Sequence, residues 1–217
     1  MGGMTALPID FVADPVCPWC YLGWARLKAA LEQRPELEAQ VTWRAYQLDP
    51  TIPAAGVDRK AYMQAKFGDP ARMATMTQRL NQAAAEAGLD MRFDEIPIRP
   101  NTNAAHRLIR WAQAEGKGEA AAEAIMRAYW TELRDIGDLE VLADLAADLG
   151  MDRAEVLARL MSDEDRLAVD QEHNAAIRMG VQGVPFTIFA NRLAVSGAEP
   201  PERLLLAIGQ ALEAAAS

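Results

Sequence analysis

The chain has 217 residues, 51% of them hydrophobic, enough for a substantial core in one large domain or a domain carrying an insertion. A net charge of −9 and the lack of any Lys/Arg-rich run argue against nucleic acid or an anionic membrane as partner, since both demand a basic face. No segment is long and apolar enough to span a bilayer, and residues 1–6 lack the basic start, apolar run and cleavage site of a signal peptide, so a cytoplasmic location is expected. Met1 to Gly3 read as a candidate leftover of recombinant expression.

In chain order, residues 8–13 predict a strand, and Pro18 opens a predicted helix that ends near Arg34-Pro35, Pro being suited to a first helical turn. The apolar stripe of that helix runs through Cys20, Trp24, Leu27 and Leu31, which makes Trp24 a core residue. Residues 41–46 alternate as a second strand. After a loop containing Pro53 and Gly56 the pattern turns helical: 59–67, 70–87, 102–115, 119–133, 139–149, 153–161 and 163–179, with cap signals at Asp152/Glu155 and Ser162/Asp165. Strands return at 184–190 and 193–196 around a tight turn at Asn191-Arg192, and a last helix covers 201–215. The order is β-α-β, then β-β-α, an α/β fold with a large all-helical insertion. It divides the chain into residues 1–57, 58–180 and 181–217.

Both cysteines fall in one motif, Cys17-Pro18-Trp19-Cys20, directly after the first strand. Cys17 precedes the first turn, where backbone N–H groups and the helix dipole favour a thiolate. Cys20 lies one turn on and faces inward, placed to attack a mixed disulfide formed at Cys17. That asymmetry suits a dithiol–disulfide oxidoreductase. Haem attachment would need His after Cys20, where Tyr21 stands, and a zinc site would need His106 and His173, which lie in different predicted helices, so no metal is expected. An iron–sulfur cluster would need ligands from another molecule, and two merely buried cysteines remain the plain alternative.

Val184-Pro185 opens a predicted strand, where a cis bond that turns the Val184 backbone toward a substrate and an edge-strand proline without a role are both open. Asn103, His106, Arg107 and Arg110 share one helical face. Facing the cysteine loop, His106 would steer or protonate a substrate thiol, with Asn103 beside it; otherwise the face is solvated. His173 reads as a surface histidine. Met63, Met73, Met76 and Met91, among ten methionines, either line an adaptable groove or fill core. Trp19, exposed between the thiols, and Pro18 are expected to dock substrate.

Four ordered blocks carry a resemblance: Asp14-Pro-Val-Cys-Pro-Trp-Cys-Tyr-Leu-Gly23, Pro100-Asn-Thr-Asn-Ala-Ala-His-Arg-Leu108, Asp135-Ile-Gly-Asp-Leu-Glu-Val-Leu142, and Gly180-Val-Gln-Gly-Val-Pro-Phe186 with Val195-Ser-Gly-Ala198. The chain resembles the thioredoxin-like DsbA family of thiol-disulfide oxidoreductases, most closely its FrnE-like branch. The resemblance implies a thioredoxin fold split by the helical insertion, Cys17 as nucleophile, Cys20 as resolving thiol and Pro185 as the cis-proline beside them. The same superfamily branch includes kappa-class glutathione transferases and 2-hydroxychromene-2-carboxylate isomerases, which use glutathione and have serine in place of the first cysteine. Retention of both cysteines favours thiol exchange. Because Pro18-Trp19 offers no imidazole to hold the thiolate, a weaker oxidant than Pro-His versions is expected. No bound cofactor is expected. Glutathione is the candidate co-substrate, protein or small-molecule thiols and disulfides are the partners, and a homodimer is a candidate assembly. A non-catalytic peptide-binding chaperone is the alternative of a different class.

Overall fold

The computed structural model describes residues 5–216, so Met1 to Gly3 lie outside the described residues. Strand β1 (Thr5–Ala13) is central, with Leu7, Ile9, Phe11 and Ala13 alternating into one buried face and Val12 meeting Ala176 and Val181 on the other. Helix α1 (Pro18–Leu31) returns the chain to β2 (Leu37–Ala45), which pairs parallel to β1 with Phe11 opposite Trp43. Phe11, Trp24 and Trp43 pack edge to face, with ring centroids 4.9 to 5.8 Å apart, and anchor the core between α1 and the sheet.

The chain then makes a short strand β3 (Val57–Asp58), helices α2 (Arg59–Phe67) and α3 (Pro70–Glu86), and a second short strand β4 (Ile98–Arg99) antiparallel to β3. This two-residue ladder is too short to leave an alternation in sequence. It needs Gly56, whose φ is +72° and whose Cβ, were there one, would stand 2.7 Å from Ile98 Cγ2. Helices α4 (Asn103–Ala114), α5 (Gly118–Trp130), α6 (Leu139–Asp148), α7 (Arg153–Met161) and α8 (Arg166–Arg178) follow. The last begins three residues later than its predicted start at 163, because Asp165 takes the left-handed conformation (φ 58°) and interrupts the turn.

Strands β5 (Phe186–Phe189) and β6 (Leu193–Ser196) form the expected hairpin, and α9 (Pro201–Ala216) closes the fold against α1. The hairpin turn centres on Ala190 and Asn191, both at positive φ, one residue ahead of the predicted position. The sheet order is β2-β1-β5-β6, the thioredoxin arrangement, with the helical block entering between β2 and β5. One cluster of buried side chains runs from Leu7 and Trp43 in the sheet to Leu142 and Leu160 in the helices. No helix among the described residues is long and apolar enough to cross a membrane.

The outer edge of β2 is covered by side chains instead of a strand. Its outward N–H groups fall on alternate residues: Trp43 donates to Gln113 Oε1 (2.7 Å), Ala45 to Glu172 Oε2 (3.0 Å), and beyond the strand Gln47 to His173 Nδ1 (3.1 Å). His173 is therefore buried, correcting the surface reading. Its charged neighbours in sequence do not expose it, because its ring is needed at this edge and packs edge to face against Tyr46.

Candidate active site

Cys17 is the N-cap of α1, with Pro18 at the first helical position, and its carbonyl accepts from the N–H groups of Cys20 (3.0 Å) and Tyr21 (3.3 Å). Both cysteines are free thiols. Cys17 is 4% exposed and opens onto a cavity of about 340 Å³, whereas Cys20 is fully buried at 0%. Burial pushes the Cys20 thiol well above its ordinary range, the neighbouring Cys17 pushes the same way, and a backbone N–H of Asp14 pulls against both. Cys20 is thus a protonated thiol at neutral pH.

The Cys17 thiol donates to the carbonyl oxygen of Val184 at 3.5 Å, so Val184 stands directly opposite Cys17 although 167 residues separate them. The Val184–Pro185 peptide bond is cis. Pro185 is buried, with its ring against α1 at Gly23, while half-buried Val184 and Gly183 line the cavity. Pro18 and Trp19 line it as well. Trp19 is half-buried rather than exposed, because α2 and α3 close over it and Phe67 and Met76 share its pocket walls. Met63 and Met76 line the Cys17 cavity, Met73 lies along the adjoining groove, and Met91 packs on the core.

Asn103 and His106 do not reach this cavity. Asn103 lines a separate polar cleft with Gln47, Asn101 and Asp170, its Nδ2 donating to Asp170 Oδ1 (3.2 Å) and tying α4 to α8. His106 is 3% exposed and lies behind the cysteine loop, its Nε2–H donating to the Tyr46 carbonyl at 3.1 Å. Burial lowers its pKa, against the pull of Asp14 and the Tyr46 carbonyl. The four residues of that polar face hold neighbouring elements, His106 the end of β2, Asn103 α8, Arg107 the carbonyls of Arg159, Leu160, Ser162 and Glu164, and half-buried Arg110 the Glu172 carboxylate, and none of them lines the Cys17 cavity.

Sequence reasoning gave no role to several groups that build the site. Asp14 is 0% exposed beneath the loop; its Oδ2 accepts from Leu48 N–H (2.8 Å) and its Oδ1 from Val16 N–H (3.4 Å), with His106 Nε2 at 3.8 Å and Arg99 Nη2 at 4.0 Å. Trp130 Nε1 donates to Pro15 carbonyl at 2.9 Å and holds the loop from the other side. The far wall comes from the helical block: Arg59, Tyr62, Lys66, Phe93, Arg99 and Tyr129. The Tyr129 hydroxyl donates to Ile98 carbonyl (3.0 Å), and burial pushes its pKa up to about 12. Arg59 directly follows β3 and Arg99 lies in β4 opposite Val57, in a ladder that was itself illegible in sequence; only Asp14, inside the motif, carried a signal.

A family model described as a DSBA-like thioredoxin domain matches residues 8–209. Among solved structures, a probable DsbA oxidoreductase from Streptomyces coelicolor is 30% identical, with 95% of this chain and 90% of that one covered at a TM-score of 0.87. A 2-hydroxychromene-2-carboxylate isomerase (21% identical, 96% and 98% covered, TM-score 0.71) and the cytosolic disulfide reductase DsbM of Pseudomonas aeruginosa with GSH (22%, 96% and 98%, 0.62) share the fold.

Proposed function

This chain belongs to the DSBA-like thioredoxin domain family, and from that premise we propose that it is a thiol-disulfide oxidoreductase working through Cys17 and Cys20. The observation that carries the reading is the unequal pair: a helix-capping Cys17 at a cavity and opposite the Val184 carbonyl, with a fully buried, protonated Cys20 one turn behind. In the reducing direction the Cys17 thiolate attacks one sulfur of a substrate disulfide, the substrate S–S bond breaks, and one thiolate leaves. Cys20 then gives up its proton and attacks Cys17 Sγ, the second substrate thiol leaves, and the chain holds the Cys17–Cys20 disulfide. Two electrons have passed to the substrate. Two external thiols, with glutathione the proposed co-substrate, reverse these steps and restore the dithiol.

Backbone pairing of a substrate with Val184 and stacking on Trp19 would hold the reacting sulfurs in line. The family and its neighbours include isomerases as well as oxidoreductases, and the presence of Cys17 supports exchange over glutathione-dependent isomerisation.

Replacing Cys20 with Ser removes the resolving thiol, so mixed disulfides should accumulate on Cys17 when the reduced variant meets a model disulfide. Mass spectrometry that finds no adduct on Cys17 would sink the exchange reading.

A further inference from the structure

The cavity beside Cys17 is lined by three cationic side chains, Arg59, Lys66 and Arg99, and by no carboxylate. In a chain of net charge −9 this runs against the average. The three cations differ in what they already hold. Arg59 donates through Nη1 to the Phe93 carbonyl at 2.7 Å and lies over the rings of Phe93 and Trp130, and Lys66 Nζ donates to the Tyr62 hydroxyl at 3.0 Å. Arg99 stands apart. It is 6% exposed, its Nη2 is 4.0 Å from Asp14 Oδ2, too far for a hydrogen bond, and its buried Nη1 has no partner among the described residues. Asp14 is in turn engaged by the Leu48 and Val16 N–H groups. A buried guanidinium donor without an acceptor is costly, and a planar fork of donors is the group best matched to a carboxylate.

We infer that this cavity is an anion subsite: it takes a low-molecular-weight thiol or disulfide bearing a carboxylate, which sits on Arg99 while the sulfur reaches Cys17. The inference rests on the exchange reading above and names its substrate class. The volume of about 340 Å³ lies near the lower end of small-molecule sites, roughly 300–1,000 Å³, and suits a compact compound. Trp19, Phe67, Met76 and Leu80 supply apolar wall for its methylene groups, and Lys66, exposed on α2, stands at the rim. The sulfur chemistry is the two-step exchange already described, balanced by the substrate disulfide itself.

Three size-matched disulfides test it: 3,3′-dithiodipropionate with two carboxylates, neutral bis(2-hydroxyethyl) disulfide, and cystamine with two ammonium groups. Each is mixed with pre-reduced protein in a single turnover, acid-quenched, and the oxidised protein counted by mass spectrometry, with every rate divided by that of the same disulfide with a simple free thiol. Global charge alone would put cystamine first. The subsite puts dithiodipropionate first, by at least ~10-fold over the neutral disulfide, a difference of about 1.4 kcal/mol. Arg99→Met should bring that ratio within about 2-fold, and Lys66→Gln, at an exposed position that does not threaten folding, should lower it roughly 2- to 3-fold. Equal rates, cystamine in front, or a ratio untouched in folded Lys66→Gln and Arg99→Met protein overturns the subsite and leaves exchange standing. If none of the three oxidises the protein, both readings fall together.

Discussion

Gly23 lies in α1 one turn beyond Cys20, and a Cβ added there would stand 2.7 Å from Pro185 Cγ, 3.3 Å from Pro185 Cβ and 3.5 Å from Ala198 Cβ. Comfortable carbon–carbon contact is roughly 3.5 Å or more, so Gly23→Ala asks for a shift of about 0.8 Å. The proline ring has no rotamer to escape into, and the Pro185 carbonyl is fixed by the Gly197 N–H at 2.8 Å, so the 184–185 backbone must move as a unit. Two terms oppose each other in stability. Alanine is favoured over glycine inside a helix by about 1 kcal/mol, while overpacking a tight contact costs about 1–3 kcal/mol. The net expectation is a loss of about 0–2 kcal/mol. Exchange should suffer more, because the Val184 carbonyl sits 3.5 Å from Cys17 Sγ and a misplacement near 1 Å at a reacting centre can cost on the order of 100-fold. Urea midpoints paired with single-turnover exchange rates would separate the two effects: a stability loss of no more than about 2 kcal/mol with at least ~10-fold slower exchange. A variant about 1 kcal/mol more stable with an unchanged rate would show that helix propensity alone operates and that Gly23 does not space the site.

Burial lowers the pKa of both His106 and His173, so the folded state holds them neutral where the unfolded chain would protonate them. A base with a depressed folded pKa contributes stability that is fully present above its unfolded value, near 6.5, and is lost as pH falls below it, at up to about 1.4 kcal/mol per pH unit for each proton. Urea midpoints should therefore drop between pH 7 and 5, and the double change His106→Gln, His173→Gln should flatten that slope; an equally steep slope in the double variant refutes the assignment. At the edge of β2, Gln113→Ala leaves the Trp43 N–H without its acceptor and should cost about 1–3 kcal/mol. Amide exchange at Trp43 should speed up more than at Phe11 on the paired strand, and uniform acceleration across the sheet would mean that the edge contact is not local.

What the sequence made legible follows from how local each signal was. Pro18 after Cys17 marked the start of α1, the stripe from Cys20 through Trp24 gave its buried face, and the alternation at 186–189 and 193–196 gave the hairpin, since each rests on neighbours within a turn or a ladder step. The thiol asymmetry came from the same local pattern. Arg99 and the partners of Asp14 were opaque for the opposite reason: their surroundings are assembled by residues 14, 48, 99 and 106, and no periodicity links them. His106 shows the limit most plainly. Helical spacing identifies a polar face, but whether that face meets water or an unpaired strand end depends on what lies across from it, here the Tyr46 carbonyl.

The helical block makes two kinds of contact that meet at the cysteine loop. Through Gln113, Glu172 and His173 it stands in for a missing strand along the alternate N–H groups of Trp43, Ala45 and Gln47, and the N–H of the adjacent Leu48 closes on Asp14 beneath Cys17. Through Arg59, Lys66, Arg99 and Tyr129 it also builds the far wall of the cavity. Cys17 and Cys20, by contrast, come entirely from the β1–α1 junction, with Val184 from the hairpin side. On the proposed exchange reading, chemistry and selection are carried by different segments. Changes in the α2–α3 wall would alter which sulfur compound reaches Cys17 while leaving the exchange step itself intact, whereas a change in the strand-edge contacts would reach the loop through Asp14 and disturb both.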